Sequence, residues 1–379
     1  MKSMAFKAPA RRILVIKTRA IGDTVLLSGT LRVLRARKPY YKIDVLVRAP
    51  GGHLLECLPC VDRVICVTEP ESGFERMLYW MRLIRRLRER RYEMVLNFHA
   101  SRRTAFFAKL LRSQLLVSNN HDLKGHNWFS DVDVPGRGHV KSAIDRDLDV
   151  LRAIGIHVKP EEAAPEFHLN SIEKKWATDY FHDAEAAGKT GFITRHGPRI
   201  FLGIGGSRET KRWPPEYFAM LAERLAREHD ACFVLVTVPE DEDWLQRFRA
   251  LVCGDEKLKE RVAFITGISL RHVGAVLSKC HLYVGNDYGV KHLAAAAGLS
   301  TFTFFGPELP SEWHPYDARK HPHAFIHGLA CRTESGKHWC AIPTCPKHGH
   351  QCMRKIGPED VYGKITALLA RKASHHKSG

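Results

Sequence analysis

The feature that most constrains this chain is an alternation of strand and helix patterns that runs through its length twice. In the first half, short β-rich runs at 12–17, 43–48, 64–67 and 94–98 are separated by helical patterns such as 24–37 and 75–90. In the second half, runs at 200–203, 232–238, 263–266, 281–285 and 301–305 alternate with helical patterns near 215–227, 242–251, 270–278 and 289–297. Alternation of this kind builds βαβ units on a parallel sheet. It predicts an α/β chain of two Rossmann-like, doubly wound domains. A proline- and glycine-bearing zone at 134–138 reads as a linker, followed by a helix near 143–154. The change of lobe is expected after a helix at 172–187, giving domains 1–188 and 189–379. Gly357, Pro358, Glu359 and Asp360 open a last helix, with proline at its first position and acids against the positive end of its dipole. That helix is expected to pack back on the first lobe. Doubly wound sheets bind ligands outside the carboxyl ends of their strands, so two lobes facing across a cleft are the expected frame for a site.

Composition limits what such a chain does. Hydrophobic residues make up 44% and charged residues 26%, an ordinary globular balance. Residues 1–10 lack the apolar core of a signal peptide, and no run approaches the roughly 18 apolar residues of a spanning helix. A cytoplasmic protein is expected. The net charge of +18 favours polyanions, whether nucleotides, phosphorylated glycolipids, anionic membrane or nucleic acid, without choosing among them. Between Arg76 and Arg91, Met77, Trp80, Met81, Ile84 and Leu87 recur at helical spacing while seven arginines fill the other positions. That pattern fits either the outer helix of an α/β domain or a helix lying on a membrane surface. Of ten cysteines, Cys57, Cys60, Cys66, Cys232, Cys253 and Cys280 read as small core residues. Cys331, Cys340, Cys345 and Cys352 cluster with His338, His348 and His350 in enough number for a structural metal, but their spacing holds no tight C-x-x-C knuckle.

Three segments carry candidate chemistry. The first strand runs into Gly22 and Asp23, where the glycine admits a close approach and the aspartate reads equally as a site carboxylate and as a helix N-cap. After the strand at 200–203, Gly205, Gly206 and Ser207 lead to Thr210, Lys211, Arg212, Trp213 and Pro214, a phosphate cradle in composition. It lacks the G-x-x-x-x-G-K-[ST] spacing of an ATPase P-loop. After the strand at 281–285, Asn286, Asp287, Tyr288, Gly289, Val290, Lys291 and His292 open a helix whose start suits a diphosphate. Asp287 also reads as that helix's cap, and His292 as a histidine at the edge of the core.

Taken in order, these segments resemble glycosyltransferase family 9, the ADP-heptose:lipopolysaccharide heptosyltransferases, over nearly the whole chain. The resemblance rests on Gly22-Asp23, Gly205 to Pro214, Asn286-Asp287 with Gly289, His292 to Ala295, and Phe305-Gly306-Pro307, with Leu58 to Val64 and Cys352-Met353 in support. It implies a GT-B fold and an inverting transfer of heptose from ADP-heptose to an anionic lipopolysaccharide core acceptor at the cytoplasmic face of the inner membrane. In the pattern the resemblance implies, Asp23 is the general base. Gly206, Ser207, Lys211, Asp287, Gly289, Val290 and His292 hold the donor, and no metal or other cofactor is required. The late cysteines then look like a shared loop rather than a metal site. Departures stand beside the donor at Tyr288, Val290 and Lys291, and on the acceptor side at Ser28, Gly29 and Asn97. On the acceptor side, Gly22, His99, Ser101, Arg102 and Arg103 are candidates for gripping phosphate or carboxylate, and the last four read equally as loop and helix surface. Other readings stay open: a GT-B transferase or epimerase using another nucleotide sugar, or a non-catalytic nucleotide or nucleic-acid binder. No RRM or C₂H₂ pattern supports nucleic acid.

Overall fold

The computed structural model describes residues 11–120, 127–136, 140–186, 197–236, 242–333, 340, 344–345 and 349–376. The chain divides into two compact units, Met1–His168 and Leu169–Gly379.

The first unit alternates β1 (Arg12–Lys17), α1 (Ile21–Arg37), β2 (Lys42–Arg48), β3 (Arg63–Val67), α2 (Gly73–Glu89), β4 (Met94–Asn97), α3 (Arg102–Leu110), β5 (Leu115–Asn120), β6 (Val132–Pro135) and α4 (Ala143–Arg152). Its six strands are parallel, in the order β3-β2-β1-β4-β5-β6. Leu14 and Ile16 on one face of β1 join a core that takes in Trp80 and Ile84 of α2 and Phe107 of α3. On α1, a Cβ at Gly29 would meet the carbonyl oxygen of Ala163 at 2.0 Å, so only glycine lets this helix lie against the turn at Pro160–Ala163. Beside it, Ser28 donates its hydroxyl to the Val25 carbonyl at 2.6 Å and accepts the Glu166 amide at 2.8 Å. The Ser28-Gly29 departure from the family pattern is thus a packing device.

The second unit begins with α5 (Ser171–Ala186) and continues β7 (Arg199–Gly203), α6 (Pro215–His229), β8 (Cys232–Val236), α7 (Glu242–Cys253), α8 (Glu256–Lys259), β9 (Val262–Ile265), α9 (Leu270–Leu277), β10 (Leu282–Asn286), α10 (Gly289–Ala296) and β11 (Ser300–Phe305). There follow α11 (Pro310–Trp313), β12 (His323–Phe325), α12 (Ala330–Thr333), α13 (Gln351–Arg354) and α14 (Pro358–His376). The strand order, β12-β11-β10-β7-β8-β9, repeats that of the first sheet, read from the opposite edge. In both sheets the order reverses between the unit's first and fourth strands, and a doubly wound sheet opens its ligand crevice at that reversal. Side-chain caps from Ser72, Ser101, Ser142 and Ser269 start α2, α3, α4 and α9, each contributing about 1 kcal/mol.

Several expectations change. The zone at 134–138 is not simply linker, because Val134 and Pro135 pair in β6 with Asn119 and Asn120. The unit boundary falls before α5 rather than after it, since Glu173 of α5 forms a buried ion pair with Arg271 of α9. The final helix α14 packs on α6 and β10 of its own unit, with Val361, Ile365 and Leu368 in that core. Cys60, Cys232 and Cys280 are buried as expected, whereas Cys253 is exposed. Among the described residues, Cys331, Cys340, Cys345 and Cys352 do not gather into a group of three metal ligands. His338 and His348 lie outside the described residues.

Candidate active site

Each sheet presents a lysine–aspartate pair at its reversal point. In the first unit, helix α1 starts at Ile21, with Ala20 as N-cap and no side-chain cap. Asp23 therefore stands inside the first turn and is not the cap, so capping no longer accounts for it. It is nearly buried, at 8% exposure, as is Gly22 beside it, and the Arg19 guanidinium lies 4.0 Å from its carboxylate. Asp23 lines a small pocket with Lys17, Arg19, Asn119, Arg146 and Asp147. The floor of that pocket is the ion pair Lys17–Asp147, 2.6 Å long and almost wholly buried. Burial pushes the Asp147 carboxyl above the usual aspartate range; the Lys17 ammonium opposes that shift and the Asp23 carboxylate adds to it.

Apart from Gly22, which precedes Asp23 in α1, the acceptor candidates do not line the Asp23 pocket. Residues at the ends of β1 and β4 alternate between the two faces of the sheet. Lys17, Arg19, Phe98 and Ala100 line the Asp23 pocket, while Thr18, His99, Ser101 and Arg103 line a larger cavity. His99 and the Thr18 hydroxyl are hydrogen bonded through Nδ1 at 2.9 Å. Ser101 is the N-cap of α3, its hydroxyl accepting the Thr104 amide at 3.2 Å. Arg102 and Arg103 are exposed. Asn97 is buried, its amide nitrogen donating to Thr104 and Ser118 and its oxygen accepting the His99 amide, so it organises the strand end rather than offering an open grip.

In the second unit, Trp213 anchors the loop after β7. It is fully buried, stacks on Phe304 at 4.0 Å between ring centroids, and donates its indole N–H to the Ile356 carbonyl at 2.8 Å. Its amide donates to the Asn286 side-chain oxygen at 2.9 Å, and the Asn286 nitrogen donates to the carbonyls of Ile204 and Gly205. One asparagine at the end of β10 thus ties the loop after β7 to the start of α10. That loop carries Gly206, which is buried and accepts from Arg212 through its carbonyl, and Ser207, which is exposed.

The tie brings Lys211 over Asp287, with 3.3 Å between ammonium and carboxylate and 3.4 Å to Glu308. The other Asp287 oxygen accepts from Lys291 at 2.5 Å. The Lys291 ammonium is entirely buried, donates to the Trp313 carbonyl at 2.9 Å and lies over the Phe305 ring. Two ammonium groups hold the Asp287 carboxyl far below the usual range against its own burial, while burial pushes Lys291 down to about 8. Helix α10 begins at Gly289 behind Tyr288, with no side-chain cap, so Asp287 is not a cap here either. The first N–H groups of a helix, here at Gly289 and Val290, have no partner within the helix and favour an anion. His292, expected either beside the donor or at the edge of the core, is buried, neutral because burial drives its basicity well down, and its Nδ1 is hydrogen bonded to the Tyr316 hydroxyl.

Sequence reasoning missed Lys17, Arg146 and Asp147 around Asp23, and Lys291, Glu308 and Tyr316 around Lys211. Lys17 left a trace as a charge ending an apolar strand, and Lys291 as a departure from the family pattern. Asp147 and Glu308 left none.

A family model for glycosyltransferase family 9 (heptosyltransferase) matches residues 80–335. The lipooligosaccharide heptosyltransferase 2 of Haemophilus influenzae is 25% identical, the alignment covering 95% of this chain and 99% of that protein. A family 9 glycosyltransferase from Veillonella parvula superposes with a TM-score of 0.78 at 20% identity, over 97% of this chain and 99% of the other. The Escherichia coli ADP-heptose lipopolysaccharide heptosyltransferase II superposes with a TM-score of 0.74 at 21% identity, over 96% and 99%. The two doubly wound units are those of the GT-B enzymes, and with the family model matching residues 80–335, more than half of the chain and parts of both units, the chain belongs to glycosyltransferase family 9, the heptosyltransferases.

Proposed function

We propose that this chain transfers a heptose from ADP-heptose to an anionic lipopolysaccharide core acceptor at the cytoplasmic face of the inner membrane, with inversion at the anomeric carbon. The observation that carries the reading is the division of labour between the two sheet ends. The second unit sets Lys211 beside the uncapped start of α10, a positive site for a diphosphate. The first sets Asp23 in a small pocket, a carboxylate for a hydroxyl.

The chemistry follows from those groups. Asp23 takes the proton of the acceptor hydroxyl as the oxygen attacks the anomeric carbon. The bond to the diphosphate breaks on the opposite side, and negative charge gathers on the departing ADP. Lys211 and the amides at Gly289 and Val290 stabilise that charge, with Ser207 as a further donor, and no metal ion is called on. Asp287 does not touch the diphosphate in this reading. Held ionised by two lysines, it keeps Lys211 in place. The acceptor's phosphate or carboxylate groups meet Arg102, Arg103 and His99.

The test is ADP release from ADP-heptose with core-truncated lipopolysaccharides, run with Asp23→Ala beside the parent chain. Release that falls away in the variant while donor binding persists supports the reading. Absence of both release and donor binding in the parent chain refutes it.

A further inference from the structure

Helix α2 does not bury what its sequence offers. Across Gly73–Glu89 only Leu87 is buried, whereas α1, also 17 residues long, buries twelve. Phe74 is 66% exposed, and Met77, Met81 and, on α3, Phe106 are about half exposed. Behind them α2 and α3 enclose a cavity of about 710 Å³ whose apolar wall is Met77, Trp80, Met81, Ile84, Phe106 and Leu110. That volume falls within the range of sites that hold organic ligands. Arg48, Arg76 and Arg103 reach the same cavity, against one acid, Glu69. Along α2 itself, Arg76, Arg82, Arg85, Arg86 and Arg88 outnumber Glu75 and Glu89, and all seven are exposed.

We propose that the face formed by α2 and α3 docks on an anionic lipid bilayer, with one acyl chain entering the cavity between Trp80 and Phe106 and the lipid phosphates meeting Arg76 and the other arginines of α2. An apolar slot with a cationic mouth is complementary to an amphiphile that has a long hydrocarbon chain and an anionic head. A small soluble acid would leave Phe74, Met77 and Met81 in water, whereas a bilayer covers them together. Methionine suits this contact because its unbranched, polarisable side chain adapts to a chain without fixed shape. Docking rests on the proposed work at the membrane face and gives that work a surface. It brings a membrane-anchored acceptor to the sheet end that carries Asp23, yet leaves donor binding to the other unit.

The test is flotation of the full chain with vesicles of phosphatidylglycerol mixed into phosphatidylcholine, beside vesicles of phosphatidylcholine alone. The parent chain floats with the anionic vesicles only. Met77→Asp combined with Met81→Asp lowers that partition by about tenfold or more. The double variant keeps its melting temperature and its ADP release with a deacylated, soluble acceptor, a readout that tests the proposed function separately. Chain entry is read from Trp80: phosphatidylglycerol with brominated chains quenches the parent's tryptophan fluorescence, and Trp80→Phe, which still floats, loses that quenching. Failure to float at any phosphatidylglycerol content overturns the proposal, as does flotation unchanged in the double variant. A lipid-free dimer of the parent that the double variant dissolves would assign the face to a second copy and overturn it too.

Discussion

The two sheet ends use the same residue types to opposite effect. At Asp23, two carboxylates share a small pocket, and burial raises the proton affinity of Asp147 even with Lys17 at 2.6 Å. At Asp287, one carboxylate lies between Lys211 and Lys291, and its proton affinity is driven far down. Two ammonium groups contact the Asp287 carboxylate and overcome its burial, whereas one contacts Asp147 and does not. Burial thus prevails at Asp147, while a carboxylate between two lysines stays ionised as a fixed counter-charge.

The comparison breaks if the roles can be exchanged. Asp23→Asn keeps the side-chain size and removes the base, so turnover is expected to fall by about a hundred- to ten-thousandfold with donor affinity unchanged. Equal loss of donor affinity, measured by calorimetry, would deny Asp23 its separate role. Lys291→Met leaves Asp287 buried with only the longer Lys211 contact. Stability of the second unit is expected to fall by about 3–5 kcal/mol in urea unfolding, with hydrogen exchange in the first unit unaffected. Lys211→Met removes the outward ammonium while Lys291 still satisfies Asp287. It is expected to weaken ADP binding by about 1.5–3 kcal/mol, more than tenfold in Kd, with little change in melting temperature.

The smallest effect sharpens the contrast through pH. Burial lowers His314 to about 2 and His321 to about 4, from the ordinary 6.5, so the folded second unit keeps them neutral. The unfolded chain binds those protons first, so stability is lost as pH falls below about 6.5 and, for His321, continues to fall until about 4. Each contributes at most about 1.4 kcal/mol per pH unit. In the first unit, Glu93 is held at about 2, chiefly by its hydrogen bond from Arg11, so its stabilisation persists until pH drops below the ordinary 4.5. Hydrogen exchange between pH 7 and 5 should therefore loosen the second unit and spare the first. Loosening of both together would show that the histidines do not control it.

The period of the apolar residues and the order of the motifs were enough to read two doubly wound units, and Asp23, Lys211 and Asp287 stood out as candidates because each lies in the segment that follows a strand. β6 escaped because the run Val132–Pro135 is too short for its alternation to register and its proline reads as a strand breaker. The Ser101 hydroxyl and the His292 ring looked like ligand groups in a linear reading. The same reading left them open as surface and core-edge residues; that one caps α3 and the other bonds Tyr316 in the interior, only their neighbours in space reveal.

Sequence alone thus determined the class of fold and the family, because those depend on patterns within a few residues of one another. Tertiary structure decided which charges neutralise which. Lys17 meets Asp147 across 130 residues and Arg208 meets Glu308 across 100. It also decided that α2 stays half uncovered although its pattern is that of an ordinary amphipathic helix. Strand order and helix packing set these pairings, and both depend on contacts too distant along the chain for any local period to encode.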